Sequence, residues 1–159
     1  MTLAPATSER LRFLARVADK EARHLTLTTE RLFTSPFTPE RVAELEQSPE
    51  LAERVDAFVG RFGRLQDTLG DKLLPTLLTA LGETIAAVID NLDRAERLGF
   101  IPSAEQWMEM RKLRNQMIHD YVEDPLVLAD ALETAHGFVP VLTDVATRLT
   151  GEMTRRGWS

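Results

Sequence analysis

Ser103-Ala104-Glu105-Gln106-Trp107-Met108-Glu109-Met110-Arg111-Lys112-Leu113-Arg114-Asn115-Gln116-Met117-Ile118-His119-Asp120-Tyr121 is the stretch around which the chain is read. Ser103 followed three positions later by Gln106 is a capping box that opens a helix. At 3.6 residues per turn, Trp107, Met110, Leu113 and Met117 fall on one stripe, which should face a core. Arg111, Asn115 and His119 follow one another at four-residue spacing and share a different face. His119 is therefore expected to project toward solvent, a cleft or another subunit. Arg114 stands at the edge of the apolar stripe. An ideal helix separates it from His119 by roughly 140°. The two can converge only through the arginine's reach, a helix that unwinds near His119, or a second copy of the chain.

Outward from this segment the pattern stays helical. Leu11, Leu14, Ala15, Ala18, Ala22 and Leu25 recur at three and four residues, predicting a first helix over roughly residues 9–33 with Ser8 as its N-cap. Thr38-Pro39 starts a short helix to about Gln47, and Ser48-Pro49 a longer one carrying Leu51, Val55, Phe58, Val59, Phe62 and Leu65. Gly70 and Pro75 interrupt this run, although Leu73, Leu74, Leu77, Leu78 and Leu81 continue its apolar face. Gly82 marks a boundary. Ile85, Val88, Ile89, Leu92 and Ala95 predict a further amphipathic helix closed by Gly99. Asp124-Pro125 opens the final helix, which Gly137 and Pro140 should bend or split. Sustained β-branched alternation is absent. The expected fold is all-α, an up-and-down bundle of five or six helices in one domain over residues 1–159.

Composition narrows the chemistry. The 159 residues include no cysteine, which removes disulfides, thiol nucleophiles and cysteine-based zinc sites. No run of about 18 apolar residues predicts a membrane span, and Met1–Ser8 lacks the form of a signal peptide. A cytoplasmic protein is the expectation. The net charge of −6 argues against a generic nucleic-acid binder, but Arg111, Lys112 and Arg114 form one local basic cluster, and Arg155 and Arg156 lie near the C-terminus. Such a chain suits one particular RNA, or a basic protein partner, better than RNA in bulk.

Arginine binds phosphate through a planar fork and keeps its charge, and histidine moves protons in both directions near neutrality. Arg114, His119 and the chain's only tyrosine, Tyr121, therefore suit phosphodiester chemistry. Arginine followed five positions later by histidine also arises by chance, and a tyrosine can serve a core edge. Glu105 and Glu109 have the spacing of a carboxylate pair but read as solvated surface, so no metal is expected. His24 reads as a surface or half-buried histidine and His136 as the companion of a helix irregularity. Trp158 could pack back on the bundle or stay free.

Arg-x4-His-x-Tyr near the end of a helix in a small bundle resembles the signature of HEPN-domain toxins, ribonuclease partners of minimal nucleotidyltransferase antitoxins. Phe62-Gly63-Arg64-Leu65-Gln66-Asp67-Thr68-Leu69-Gly70-Asp71-Lys72 is similar to a second segment of these toxins, and Asp93–Ile101 to the approach to their motif. The likeness covers about residues 60–125 and extends to the first helices only in general architecture. It implies an all-helical symmetric homodimer with two motifs facing across a cleft, cutting RNA without a metal or other cofactor. It further implies His119 as acid/base, Arg114 as phosphate and transition-state binder, and Asn115 as a polar companion. Arg111 and Lys112 would contact RNA, and Tyr121 would be the residue to which the antitoxin attaches AMP. The other reading is a non-catalytic helical module that docks a nucleotidyltransferase or its nucleotide.

Overall fold

Prolines set most of the helix starts. Pro5, Pro39, Pro49 and Pro125 occupy the first helical position of α1 (Pro5–Leu32), α2 (Pro39–Ala43), α3 (Pro49–Asp67) and α7 (Pro125–Arg155). A proline there has its φ already fixed and loses no hydrogen bond, because the first N–H groups of a helix have no internal partner. Thr38, Ser48 and Asp124 cap the last three, accepting from the backbone N–H of Arg41 (3.2 Å), Leu51 (3.3 Å) and Leu126 (2.9 Å). Ser8 is not a cap: α1 begins earlier, on Pro5, and the Ser8 hydroxyl accepts from Arg12 at 2.6 Å inside the helix. The computed structural model describes residues 2–119 and 124–159, with His119 described by its backbone alone.

The remaining helices are α4 (Leu74–Ala80), α5 (Val88–Arg97) and α6 (Ala104–His119), with a 3-10 turn over Glu44–Glu46. No strand occurs among the described residues. A π-helical turn, Thr68–Leu73, joins α3 to α4. The interruption expected at Gly70 and Pro75 is thus absorbed into one continuous rod. Pro75 follows the π turn, where the hydrogen-bond pattern changes in any case, so its missing N–H costs little. Pro140 likewise leaves α7 unsplit. Both Gly137 and Pro140 lie on its exposed side, while Leu128, Leu132, Ala135, Leu142, Val145, Leu149 and Met153 hold the opposite side in the core.

Four long rods form the bundle: α1, α3–π–α4, α6 and α7. Contacts run from α1 to α3, α3 to α6, α6 to α7 and α7 back to α1. The first two rods in chain order are antiparallel, since Arg61 on α3 reaches the His24 carbonyl on α1 (3.1 Å) while Thr68 further along meets Glu21 (2.5 Å). Phe62, Leu65, Leu69, Trp107, Met110 and Leu142 fill the centre. An aromatic group closes one end, with Phe33 edge-on to Phe58 (5.0 Å between centroids) and to Phe37 (5.6 Å). His136 stacks on Phe33 at 4.0 Å, so it is an aromatic packing residue rather than the companion of a helix break. His24 is half-buried, as expected.

The apolar pattern misleads at α5. Ile85, Val88 and Ile89 are exposed, and the inward face is Asn91, Leu92 and Ala95. Asn91 turns inward because its amide bridges the Ala86 backbone, accepting from N–H (2.9 Å) and donating to C=O (3.1 Å), which delays the helix start to Val88. Gly99 ends α5 in the left-handed region (φ 80°), with Phe100 N–H donating to the Ala95 carbonyl and Gly99 N–H to Glu96. At the C-terminus, Trp158 packs back on the core, its backbone N–H donating to the Met153 carbonyl at 2.8 Å.

By length and hydropathy α7 would pass as a membrane span, and its Leu128, Leu132, Leu142, Val145 and Leu149 are buried in the bundle. A core helix meets the same criteria, and α7 also carries Asp130, Glu133, Asp144 and Arg148. No other helix among the described residues is long and apolar enough.

Two glycine substitutions should move stability in opposite directions. A Cβ at Gly70 would sit 2.8 Å from the Trp107 indole nitrogen, and Trp107 is buried in the core. Gly70→Ala should therefore lose about 1–3 kcal/mol to overpacking despite its better helix propensity. Gly137, in mid-helix, has open space around it. Gly137→Ala should gain about 0.5–1 kcal/mol. Urea denaturation of both variants checks the pair, and a gain at Gly70 would contradict the packing described. A pH test applies to Glu152, whose carboxyl titrates below its usual range because it accepts hydrogen bonds from Arg155 and then Arg156. A carboxyl depressed in the folded state adds stability above its unfolded pKa and loses it as pH falls. The small deficit of Glu152→Gln at pH 7 should therefore begin to shrink only below about pH 4 and fade as the pH falls through the depressed folded value.

Candidate functional site

The face of α6 that meets α3 is shaped by two glycines. A Cβ at Gly63 would lie 2.7 Å from Arg114 Nε, as one at Gly70 would meet the Trp107 indole. Gly63 and Gly70 are seven positions apart on one rod, as Trp107 and Arg114 are on the other, and they pair in opposite order. The two rods are therefore antiparallel, with α6 laid into a glycine-lined seam. Between these points the buried Gln66 donates its amide to the Trp107 carbonyl at 3.2 Å. Trp107, Met110, Leu113 and Met117 are all buried, as the helical stripe predicts.

The seam ends in charge. Arg114 Nη1 donates to Asp67 Oδ1 at 3.0 Å, and Arg111 faces Asp71 at 3.9 Å. Asp67 and Asp71, one turn apart, thus oppose the two arginines in a ladder. All four side chains are about one-third exposed, between 29% and 38%. Arg114 Nε is buried and has no hydrogen-bond partner among the described residues. The guanidinium is held on its inner side by the Gly63 backbone and at one nitrogen by Asp67, and the rest reaches solvent.

Other candidates fall around this ladder. Asn115 and Lys112 are exposed, on the side expected. Arg111, placed by periodicity on the same outward face, is half-buried against Asp71 instead, because the π turn carries that carboxylate toward α6. The helix is regular through the backbone of His119, so unwinding before that residue does not bring it to Arg114. The His119 side chain, and Tyr121 altogether, lie outside the described residues. Glu105 and Glu109 are exposed, and among the described residues no three His, Asp or Glu are grouped as a metal site. Arg155 and Arg156 share a single carboxylate, Glu152, at 2.6 and 2.7 Å.

Gly63, Asp67 and Asp71 carry no role in the reading of the sequence beyond the likeness of their segment. The available signal is the matched spacing, Gly63 to Gly70 against Trp107 to Arg114 and Asp67 to Asp71 against Arg111 to Arg114. A double-mutant cycle on Asp67 and Arg114 should give about 0.5–1 kcal/mol of coupling that weakens with salt. The same cycle on Asp71 and Arg111 should give under about 0.3 kcal/mol, because the longer, screened contact contributes little. Equal couplings would contradict the geometry.

No protein-family model, curated protein or solved structure matches this chain.

Proposed function

We propose that this chain is the toxin of a toxin–antitoxin pair, a metal-independent endoribonuclease that works as a symmetric homodimer in the cytoplasm. The observation that supports it most is the seam itself. The two segments of HEPN-toxin likeness, Phe62–Lys72 and the motif helix, pack together and hold Arg114 about one-third exposed. An arginine kept in place by neighbours, with part of its fork open, is what a phosphate site requires.

RNA brings its own nucleophile. His119 takes the proton of a 2′-hydroxyl, the 2′-oxygen bonds to the adjacent phosphorus, and the bond to the 5′-oxygen breaks. The leaving 5′-oxygen takes up a proton, leaving a 2′,3′-cyclic phosphate and a 5′-hydroxyl end. Arg114 stabilises the charge that builds on the phosphorane oxygens, a fixed electrostatic contribution of the largest kind. Positions 114 and 119 of an ideal helix are roughly 140° apart, so a second copy facing the first would complete each site. Asn115, Arg111 and Lys112 would line the RNA path. AMP placed on Tyr121 by a minimal nucleotidyltransferase antitoxin would bring a phosphate to compete for Arg114 and silence the toxin.

The decisive experiment is RNA cleavage in EDTA with analysis of the product ends. Wild type should cleave to cyclic phosphate, His119→Ala should lose about 10²–10⁴-fold, and Arg114→Ala about 10²–10³-fold. His119→Ala should abolish toxicity in cells while changing stability by less than about 0.5 kcal/mol. Tyr121→Phe should still cleave but escape the antitoxin. An unmodified, dimeric wild type that cleaves nothing in a broad RNA pool would sink the nuclease reading in favour of a module that docks a nucleotidyltransferase.

A further inference from the structure

We propose that Asp67 is a positioning residue for Arg114, fixing the guanidinium in the slot over Gly63 so that its open side meets the scissile phosphate. The inference rests on the ribonuclease reading. Three observations carry it. Asp67 Oδ1 accepts from Arg114 Nη1 at 3.0 Å. The arginine's Nε lies 2.7 Å from where a side chain at position 63 would put its Cβ, so any residue but glycine there would force the guanidinium out of this slot. Both charged side chains remain about one-third exposed, 29% for Arg114 and 33% for Asp67.

Stability alone gives no reason for this arrangement. A glycine in a helix interior is less favourable than alanine, and a partly exposed ion pair contributes little. Alanine at 63 packed against an apolar residue at 114 would hold the rods together better. The glycine and the carboxylate together achieve something else. They remove the arginine's freedom on two sides, and a long side chain that is already ordered loses less entropy when phosphate arrives. Asp67 also carries charge of the wrong sign for RNA, so it should weaken ground-state binding slightly while improving geometry for the reaction.

That combination separates positioning from plain scaffolding. In Asp67→Asn, single-turnover cleavage should fall at least tenfold. The Kd for a 2′-O-methyl RNA pool, which lacks the nucleophile, should stay unchanged or tighten. Gly63→Ala, with Asp67 intact, should lose cleavage to a similar degree because its Cβ displaces the guanidinium, and it decides the matter if Asp67→Asn does not fold by circular dichroism. Unchanged cleavage in the folded variants would overturn the proposal, and so would faster cleavage by Asp67→Asn, which would make the carboxylate a competitor of phosphate. Cleavage and binding lost in equal proportion would reduce Asp67 to a structural role and overturn it as well. Nitrogen NMR of the arginine side chains reads the slot without any substrate. Slow rotation about the Arg114 Cζ–Nη bonds in wild type, lost in Asp67→Asn, supports positioning, and fast rotation in wild type overturns it. If wild type cleaves no RNA, the nuclease reading fails, while this spectrum still decides whether Asp67 holds Arg114.

Discussion

The approach of α6 to the α3–π–α4 rod is the constraint on which the rest depends. Two side chains of very different character, the Trp107 indole and the Arg114 guanidinium, occupy positions where any residue but glycine on the facing rod would collide. Each glycine costs its helix roughly 1 kcal/mol in backbone freedom. Burying an indole of 150–250 Å² offsets that several-fold at about 25 cal/mol per Å². The tryptophan therefore supplies the adhesion, and the arginine two turns along is carried into place by a contact made elsewhere. Anchoring and the proposed chemistry would then be divided between the two ends of one seam.

The π turn belongs to the same constraint. A regular α-helix from Pro49 to Ala80 would shift the phase of everything after Asp67 relative to α6. The wider turn over Thr68–Leu73 keeps Gly70 under the indole and places Asp71 opposite Arg111. It also lets Pro75 follow without breaking the rod. Turns of this kind cost hydrogen-bond geometry and recur near functional sites. Here it lies on the segment that faces the motif helix.

Much of this was legible in the sequence, and the failures have identifiable causes. The buried stripe on α6 followed from period alone, because Trp107, Met110, Leu113 and Met117 leave no other face to bury. Prolines and their caps gave the starts of α2, α3 and α7. Period failed at α5, where a single polar side chain, Asn91, bridges backbone atoms and outweighs the more apolar Ile85, Val88 and Ile89. The expectation that Gly137 and Pro140 would bend or split α7 did not extend to a split, since a proline on the exposed side of a helix held on its other side by a core need not divide it. Arg111 was misplaced because helical-wheel reasoning treats a helix in isolation, whereas its partner Asp71 arrives from another rod through a π turn that no local rule predicts. The candidate site was legible only as a list of residues on and just beyond α6. Its other half, Gly63 and Asp67, could only be recognised once two distant segments were seen to share a register.

That other half bears on how an acidic protein with a net charge of −6 could handle RNA. Phosphate reaching Arg114 would have to share the guanidinium with Asp67, binding its open side, and reaching Arg111 it would meet Asp71. A phosphate in good geometry can use that open side, while a loosely placed one gains little against the neighbouring carboxylates. Bulk RNA, attracted by charge alone, finds a surface that repels it at long range and a ladder already neutralised at short range. Selectivity would then come from the few phosphates whose geometry matches a guanidinium already ordered. The same carboxylates that weaken general affinity would make the arginine's position dependable, which is the more useful property where the transition state, not the bound substrate, has to be stabilised.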